Sequence, residues 1–137
     1  MKTTHVYDRF YLWHEIEAIL KGYEADHPEL TRLTPLGTTA EGRTIWSIAV
    51  TDTAYGEPCE KPAYCVDANI HAGEVTGSMC AMYLLDVLYT NCDDPEIRKI
   101  LKHYTFYVIP RISPDGSETY LTTPEMLRSV NHMYPFE

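Results

Sequence analysis

Long apolar segments are missing from this sequence of 137 residues. No stretch approaches the roughly 18 consecutive apolar residues that suggest a transmembrane helix, so no membrane-spanning segment is predicted. The first eight residues also lack the apolar core of a signal peptide. As written, the sequence therefore predicts a cytoplasmic protein, although secretion stays open if a leader sequence has been removed.

Cysteine pairs of the C-x-x-C type are missing as well. The four cysteines are scattered at Cys59, Cys65, Cys80 and Cys92, which excludes a zinc ribbon and a thioredoxin-like redox motif. Cys65 falls in a strand-like run, and Cys80 falls on the apolar face of a helical segment. We therefore expect both thiols to be buried as small hydrophobic side chains.

Positive charge is scarce in this chain. Eleven Lys and Arg residues face 20 Asp and Glu residues, which gives a formal net charge of −9. This balance argues against nucleic-acid partners and anionic membrane surfaces, because both select basic proteins. The length suits one domain, and the hydrophobic content of 45% is sufficient for a core of its own.

The spacing of apolar residues predicts an α/β fold. The predicted helices cover 7–25, 74–90 and 95–102, and the predicted strands cover 30–38, 44–51, 63–70 and 103–109. The first two strands form a hairpin, and the third is apolar enough to be buried on both faces. Residues 113–116 predict a turn, because proline presets φ and glycine accepts positive φ. Together these elements predict a mixed sheet, parallel and antiparallel, flanked by helices.

Two polar clusters follow predicted strands directly. One cluster is residues 71–74, after the strand that ends at Ile70, and the other is residues 111–116, after the strand that ends at Ile109. In open α/β sheets, ligands bind beyond the carboxyl ends of the strands. These clusters are therefore the first places to look for a functional site.

His71 and Glu74 are candidate metal ligands. An imidazole nitrogen and a carboxylate oxygen both suit Zn²⁺, and the strand-to-helix turn lets both side chains point to one side. The spacing alone is weak evidence, because His14 and Glu17 repeat it inside the first helix, where we expect a solvated polar face. The alternative for Glu74 is a structural role, with its charge placed favourably at a helix N-terminus.

Three motifs in sequence order resemble the zinc metallocarboxypeptidases of the carboxypeptidase A type. Residues 69–74, Asn-Ile-His-Ala-Gly-Glu, resemble the first zinc-binding motif of that family. Residues 36–45 resemble its Glu-Gly-Arg hairpin, and residues 109–116 resemble its Asn-Pro-Asp-Gly turn. The resemblance extends over residues 7–137 and implies a carboxypeptidase A-like fold, incomplete in this chain.

The resemblance also implies roles for individual residues. His71 and Glu74 match the first two zinc ligands, and Arg128 matches the arginine that stabilises the oxyanion. A guanidinium keeps its charge and directs donors at a developing alkoxide, which suits that role. The alternative for Arg128 is an exposed arginine on a helix surface. The implied activity is the zinc-dependent hydrolysis of a C-terminal peptide bond.

The sequence departs from the family pattern at several positions. Ser113 replaces the usual Asn, Gly73 replaces the Arg of many digestive members, and Thr38 replaces the commoner Ser. The third zinc ligand, the carboxylate-binding pair and the general base cannot be placed, and His132 lies too close to Arg128 to be that ligand. The resemblance therefore predicts that residues 1–137 are the N-terminal portion of one catalytic domain.

Two expectations follow from the resemblance. We expect little peptidase activity from residues 1–137 alone, and we expect self-association through an uncovered sheet edge. Two alternatives to the peptidase remain. One is a non-catalytic α/β module that binds a peptide or a partner, and the other is a related hydrolase of cell-wall peptides or acyl-amino acids.

Overall fold

A computed structural model describes residues 1–128 as four strands, four α-helices and two short 3-10 helices at Thr53–Tyr55 and Pro58–Glu60. The helices are α1 (Trp13–Asp26), α2 (Val75–Thr90), α3 (Pro95–His103) and α4 (Pro114–Thr122). The strands are β1 (Thr31–Thr38), β2 (Thr44–Val50), β3 (Ala63–Asp67) and β4 (Thr105–Ile109). The predicted α/β class is confirmed.

The four strands form one mixed sheet in the order β1-β2-β4-β3. β1 pairs with β2 and β2 pairs with β4 in antiparallel fashion, whereas β3 and β4 run parallel. Helices α2 and α3 make the crossover between the two parallel strands. The carboxyl ends of β3 and β4 therefore lie at the same edge of the sheet.

The core lies on one face of this sheet. Ile48 pairs with Val108 across β2 and β4, and both are completely buried. Leu20 of α1, together with Met82 and Leu85 of α2, belongs to the same cluster of buried residues. The apolar stripes of α1 and α2 thus fix both helices, and the turn that precedes α2, against the sheet.

Strand β3 corrects the prediction of a strand buried on both faces. Four of its five residues are exposed, and only Val66 is half-buried. β3 is the outermost strand of the described sheet, and among residues 1–128 it pairs with β4 alone. The strand also stops at Asp67 rather than at residue 70, because Asn69 adopts a positive φ of 59°.

Both predictions of a buried thiol are wrong. Cys65 pairs in register with Tyr107 and lies on the face of the sheet opposite the core, where it is exposed. Cys80 is also exposed, because the buried stripe of α2 contains Met79 and Met82 and leaves position 80 outside. A small apolar residue within an amphipathic helix is therefore not always buried.

Two further boundaries differ from the sequence-based expectation. The first helix begins at Trp13 rather than near residue 7, since the preceding segment lies against α2 and the hydroxyl of Tyr7 reaches the carbonyl of Met82. The predicted turn at 113–116 is the start of α4, with Pro114 in its first turn. Proline suits that place because its missing N–H is not needed there.

No helix within residues 1–128 is long and apolar enough to cross a membrane. The cellular location of the protein stays a prediction.

Candidate metal centre

The candidate site lies where the two parallel strands end, and backbone hydrogen bonds fasten the two loops there to each other. The amide of Ala68 donates to the carbonyl of Ile109 over 3.0 Å, and the amide of Ile112 donates back to Ala68 over 3.0 Å. The amide of Ser113 donates to the carbonyl of Asn69 over 3.1 Å. The loop that contains His71 and the loop that opens α4 therefore form one unit.

His71 and Glu74 face each other across the turn that leads into α2. His71 Nδ1 lies 2.7 Å from Glu74 Oε1, and the backbone amide of His71 donates to Glu74 Oε2 over 3.1 Å. Two hydrogen bonds hold the pKa of Glu74 below its usual value of 4.5: the larger effect comes from the His71 amide and the smaller one from the imidazole. The carboxylate is therefore ionised at neutral pH, as a metal ligand must be.

Arg128 lies on the other side of the same imidazole. Its Nη2 is 3.0 Å from His71 Nε2, and its carbonyl accepts a hydrogen bond from the amide of Ala72 over 3.3 Å. Since a guanidinium can only donate, Nε2 of His71 must accept, and Nδ1 then carries the proton shared with Glu74. The structure thus brings the three predicted site residues together, and their roles in catalysis stay predictions.

The donor chemistry of this pair suits zinc. Imidazole nitrogen and carboxylate oxygen are both zinc donors. His71 Nδ1 and Glu74 Oε1 lie 2.7 Å apart as a hydrogen-bonded pair, and a metal ion bound to both would take the place of the proton between them. Within residues 1–128, no group of three or more His, Cys, Asp or Glu side chains could hold a metal ion. The described part of the chain therefore contributes two candidate ligands, and His132 lies outside the described residues.

An open cleft of about 320 Å³ surrounds these side chains. Its lining combines the polar side chains of His71, Glu74 and Arg128 with those of Tyr120, Met126 and Leu127. A larger cavity of about 530 Å³ lies elsewhere, beside Tyr23 and Tyr89, and contains none of these polar residues. We assign the site to the smaller cleft, since His71, Glu74 and Arg128 all line it.

The structure explains why this chain has glycine at position 73, where many digestive members of the family have arginine. A Cβ at position 73 would lie 3.2 Å from the ring of Tyr120, closer than ordinary van der Waals contact. Tyr120 therefore occupies the space beside the turn that a larger residue at position 73 would need. The cleft has an aromatic ring at this place.

Two buried polar residues that support the site had no role in the sequence-based prediction. Asn69 is 3% exposed and Asp115 is 1% exposed. Asp115 accepts hydrogen bonds from Thr39 Oγ1 and from Arg43 Nη1, both over 2.8 Å, so it joins the Glu-Gly-Arg hairpin to the start of α4. The shared motif order was the only signal in the sequence that these two segments meet.

A His–Glu pair beside a fixed arginine suits a metal-dependent hydrolase, because both residues can bind zinc and a bound metal activates water and polarises a carbonyl. The zinc carboxypeptidase family model (peptidase M14) matches residues 16–133. The chain is 28% identical over 113 residues to carboxypeptidase B of Rattus norvegicus, and 30% identical over 128 residues to carboxypeptidase B of Bos taurus. These matches cover 82% and 92% of this chain.

Solved structures show the same fold. The carboxypeptidase A of Helicoverpa armigera superposes with a TM-score of 0.83 at 17% identity, over 100% of this chain and 33% of that chain. A putative carboxypeptidase A of Shewanella denitrificans superposes with a TM-score of 0.64 at 30% identity, over 79% of this chain and 27% of that chain. This chain belongs to the zinc carboxypeptidase family. It spans 26% and 30% of the two carboxypeptidase B relatives.

Proposed function

We propose that this protein is a zinc-dependent carboxypeptidase that hydrolyses the C-terminal peptide bond of peptides. The observation that carries the proposal is the convergence of His71 Nδ1, Glu74 Oε1 and the Arg128 guanidinium within one cleft. Membership of the zinc carboxypeptidase family supports the same reaction. The parallel strands explain why these side chains meet, since their carboxyl ends share one edge of the sheet.

Each of these residues has a distinct role in the proposal. His71 and Glu74 hold the metal, which when bound supplies Lewis-acid and water-activating chemistry. Arg128 directs its N–H donors into the cleft and orients the carbonyl oxygen of the peptide bond, whose developing negative charge it stabilises. A third protein ligand completes such a catalytic site, and it is not found among residues 1–128.

The proposed substrate is a peptide with a free C-terminus. The apolar part of the cleft lining, which includes Tyr120, Met126 and Leu127, suits the side chain of a residue next to the bond that is cleaved. Arg128 in the same lining supplies a fixed positive charge. The cleft therefore offers both apolar and polar groups for a peptide to contact.

Residues 1–137 alone are expected to show little peptidase activity. Two ligands bind zinc more weakly than three, and a missing general base costs roughly 10²–10⁴-fold in rate. The measurement is the release of C-terminal amino acids from peptides by the purified chain with added Zn²⁺. Hydrolysis above the buffer rate that Glu74→Ala abolishes would contradict this expectation.

The test of the proposed function uses the protein encoded by the complete gene. We expect it to release single C-terminal amino acids, to lose activity on chelation of zinc, and to recover it with Zn²⁺. His71→Ala should remove both bound zinc and activity. Arg128→Ala should retain zinc and lower kcat by about 10²–10³-fold, which is the cost of losing one oxyanion donor.

A matched control is present in α1, where His14 and Glu17 repeat the spacing of His71 and Glu74. His14 is exposed and lies in the first turn of α1, so His14→Ala should leave zinc content and activity unchanged. Cleavage of acyl-amino acids or cell-wall peptides, with no release from ordinary peptides, would favour the related hydrolase. Peptide binding without turnover would favour the non-catalytic module.

A further inference from the structure

Asn69 is the residue on which the hydrogen bonds of the candidate site converge. It is 3% exposed and follows strand β3 with φ of 59°. Among residues 1–128, it is the one residue other than glycine with a positive φ. This left-handed conformation costs energy for side chains with a Cβ, but asparagine tolerates it better than most. A conformation of this kind persists where the surrounding contacts determine it.

The side-chain amide of Asn69 supports the metal-binding turn directly. Its Nδ2 donates to the carbonyl of His71 over 2.7 Å and lies 3.4 Å from the carbonyl of Ala72. The turn between His71 and Glu74 is thereby held by a buried side chain that is separate from the two candidate ligands. Because the backbone of His71 is fixed, the direction of its imidazole toward Glu74 is limited too.

The other end of the same amide is anchored in the core. Asn69 Oδ1 accepts a hydrogen bond from Ser78 Oγ over 2.9 Å and lies 2.9 Å from Ser117 Oγ. Two hydroxyls on one side and two carbonyls on the other leave only one orientation for this amide. Ser78 belongs to α2 and Ser117 to α4, so Asn69 links both helices to the turn.

A buried arginine extends this chain of hydrogen bonds. Arg111 is 3% exposed, and its Nε donates to Ser78 Oγ over 3.1 Å while its Nη2 donates to the carbonyl of Tyr11 over 2.9 Å. Ser78 can therefore accept from Arg111 and donate to Asn69 at the same time. Hydrogen bonds thus connect the buried side chains of Arg111, Ser78 and Asn69 with the backbone carbonyl of His71 at the turn.

We propose that Asn69 is the positioning residue of the metal site, acting through the backbone of residues 71 and 72. Residues that orient metal ligands from behind typically change metal affinity by about 10–100-fold when they are removed. Asn69 can orient the turn in this way because of its left-handed backbone conformation and the hydrogen bonds of its side-chain amide. This inference rests on the proposed zinc site and adds a residue that does not touch the metal.

The test compares two asparagine substitutions in the protein encoded by the complete gene, because residues 1–128 supply only two candidate zinc ligands. Asn69→Gly keeps the left-handed backbone without strain and removes the amide. Asn91→Gly is the matched control, because Asn91 also donates to two carbonyls, those of Lys2 and Val87. Asn91 follows the far end of α2, and this 16-residue helix separates it from Glu74 by about 24 Å.

The readout is the Zn²⁺ affinity at His71. It is measured from the NMR shifts of the His71 ring nitrogens as Zn²⁺ is added. We expect Asn69→Gly to weaken zinc binding by about 10–100-fold and Asn91→Gly to leave it unchanged. A second readout needs no metal: exchange of the His71 amide hydrogen should accelerate in Asn69→Gly, since the turn is no longer held. Equal zinc affinity in wild type and Asn69→Gly would overturn the proposal.

Two outcomes separate this inference from the proposed function. If zinc binds wild type at His71 but Asn69→Gly binds equally well, only the positioning role fails. If zinc produces no shift at His71 in wild type, the proposed site and the positioning role both fail. Should Asn69→Gly not fold, Ser78→Ala removes the hydroxyl between Arg111 and Asn69. That variant should then show weaker zinc binding, and unchanged binding would count against the network.

Discussion

At the scale of single residues, Asp115 joins segments that are far apart in the sequence. Its carboxylate is almost fully buried and accepts hydrogen bonds from Thr39 and from the amide of Glu41. Arg43 supplies the compensating charge through an ion pair of 2.8 Å. A buried carboxylate is tolerated only where donors and a cation surround it in this way.

We predict that Asp115→Asn lowers the free energy of unfolding by about 2 kcal/mol. The substitution removes the negative charge opposite Arg43 and places an N–H₂ group among donors, and each lost bond to a charged partner costs about 1.5–3 kcal/mol. Urea denaturation measures the change. Asp93→Asn is the control, since Asp93 is exposed, and an equal effect of both substitutions would contradict the prediction.

Residue chemistry also decides which parts of the site the sequence could predict. His71 and Glu74 were identified because zinc-type donors follow a strand at the right spacing, and Arg128 was identified from the family resemblance alone. The role of Asn69 could not be predicted from the sequence, because it depends on a positive φ angle and on hydrogen bonds with Ser78 and Ser117. Ser117 is 48 residues away from Asn69 in the sequence, and no periodic pattern of residues predicts such contacts.

At the scale of elements, local signals predicted most of the fold. Helix α3 begins at Pro95, as predicted, because the carboxylate of Asp94 caps the amide of Glu96 over 2.9 Å. The hairpin of β1 and β2 is confirmed. The prediction that β3 is buried was wrong, because a run of apolar residues indicates a strand but does not show whether that strand lies at the centre or at the edge of the sheet.

The segment before α1 depends on one carboxylate of α2. Asp86 is fully buried and accepts hydrogen bonds from the amides of Thr4 and His5 and from the hydroxyls of Thr4 and Thr90. Burial works to raise the pKa of Asp86, but these hydrogen bonds outweigh it and hold the pKa below the usual value of 3.8. The N-terminal residues are thereby fixed to the helix that leads away from the site.

The lowered pKa of Asp86 predicts a loss of stability in acid. Because the folded protein holds this carboxylate ionised, its stabilisation is complete above the unfolded pKa and disappears as pH falls through the folded pKa. Asp86→Asn should cost about 3 kcal/mol at pH 7, and the difference from wild type should shrink below about pH 4. Urea denaturation from pH 7 to pH 2 measures it, and a pH-independent difference would contradict this assignment.

At the scale of the whole molecule, the described sheet has an unprotected edge. Strand β3 pairs with β4 on one side, and its other side meets no further strand within residues 1–128. Tyr64 of this strand is 59% exposed, although its ring stacks on Phe106 with centroids 5.6 Å apart. An exposed strand edge with apolar side chains is a template for pairing with another chain.

We predict that residues 1–137 associate through this edge, and that a charge placed on β3 prevents it. Tyr64→Lys should shift the chain toward monomer in a dilution series by analytical ultracentrifugation, because lysine on an edge strand opposes pairing. Tyr55→Lys is the matched control, since Tyr55 is 57% exposed but lies outside the sheet. A reductant excludes disulfide exchange through the exposed Cys65. A wild-type chain that stays monomeric at all concentrations, or equal effects of the two lysines, would rule out association through β3.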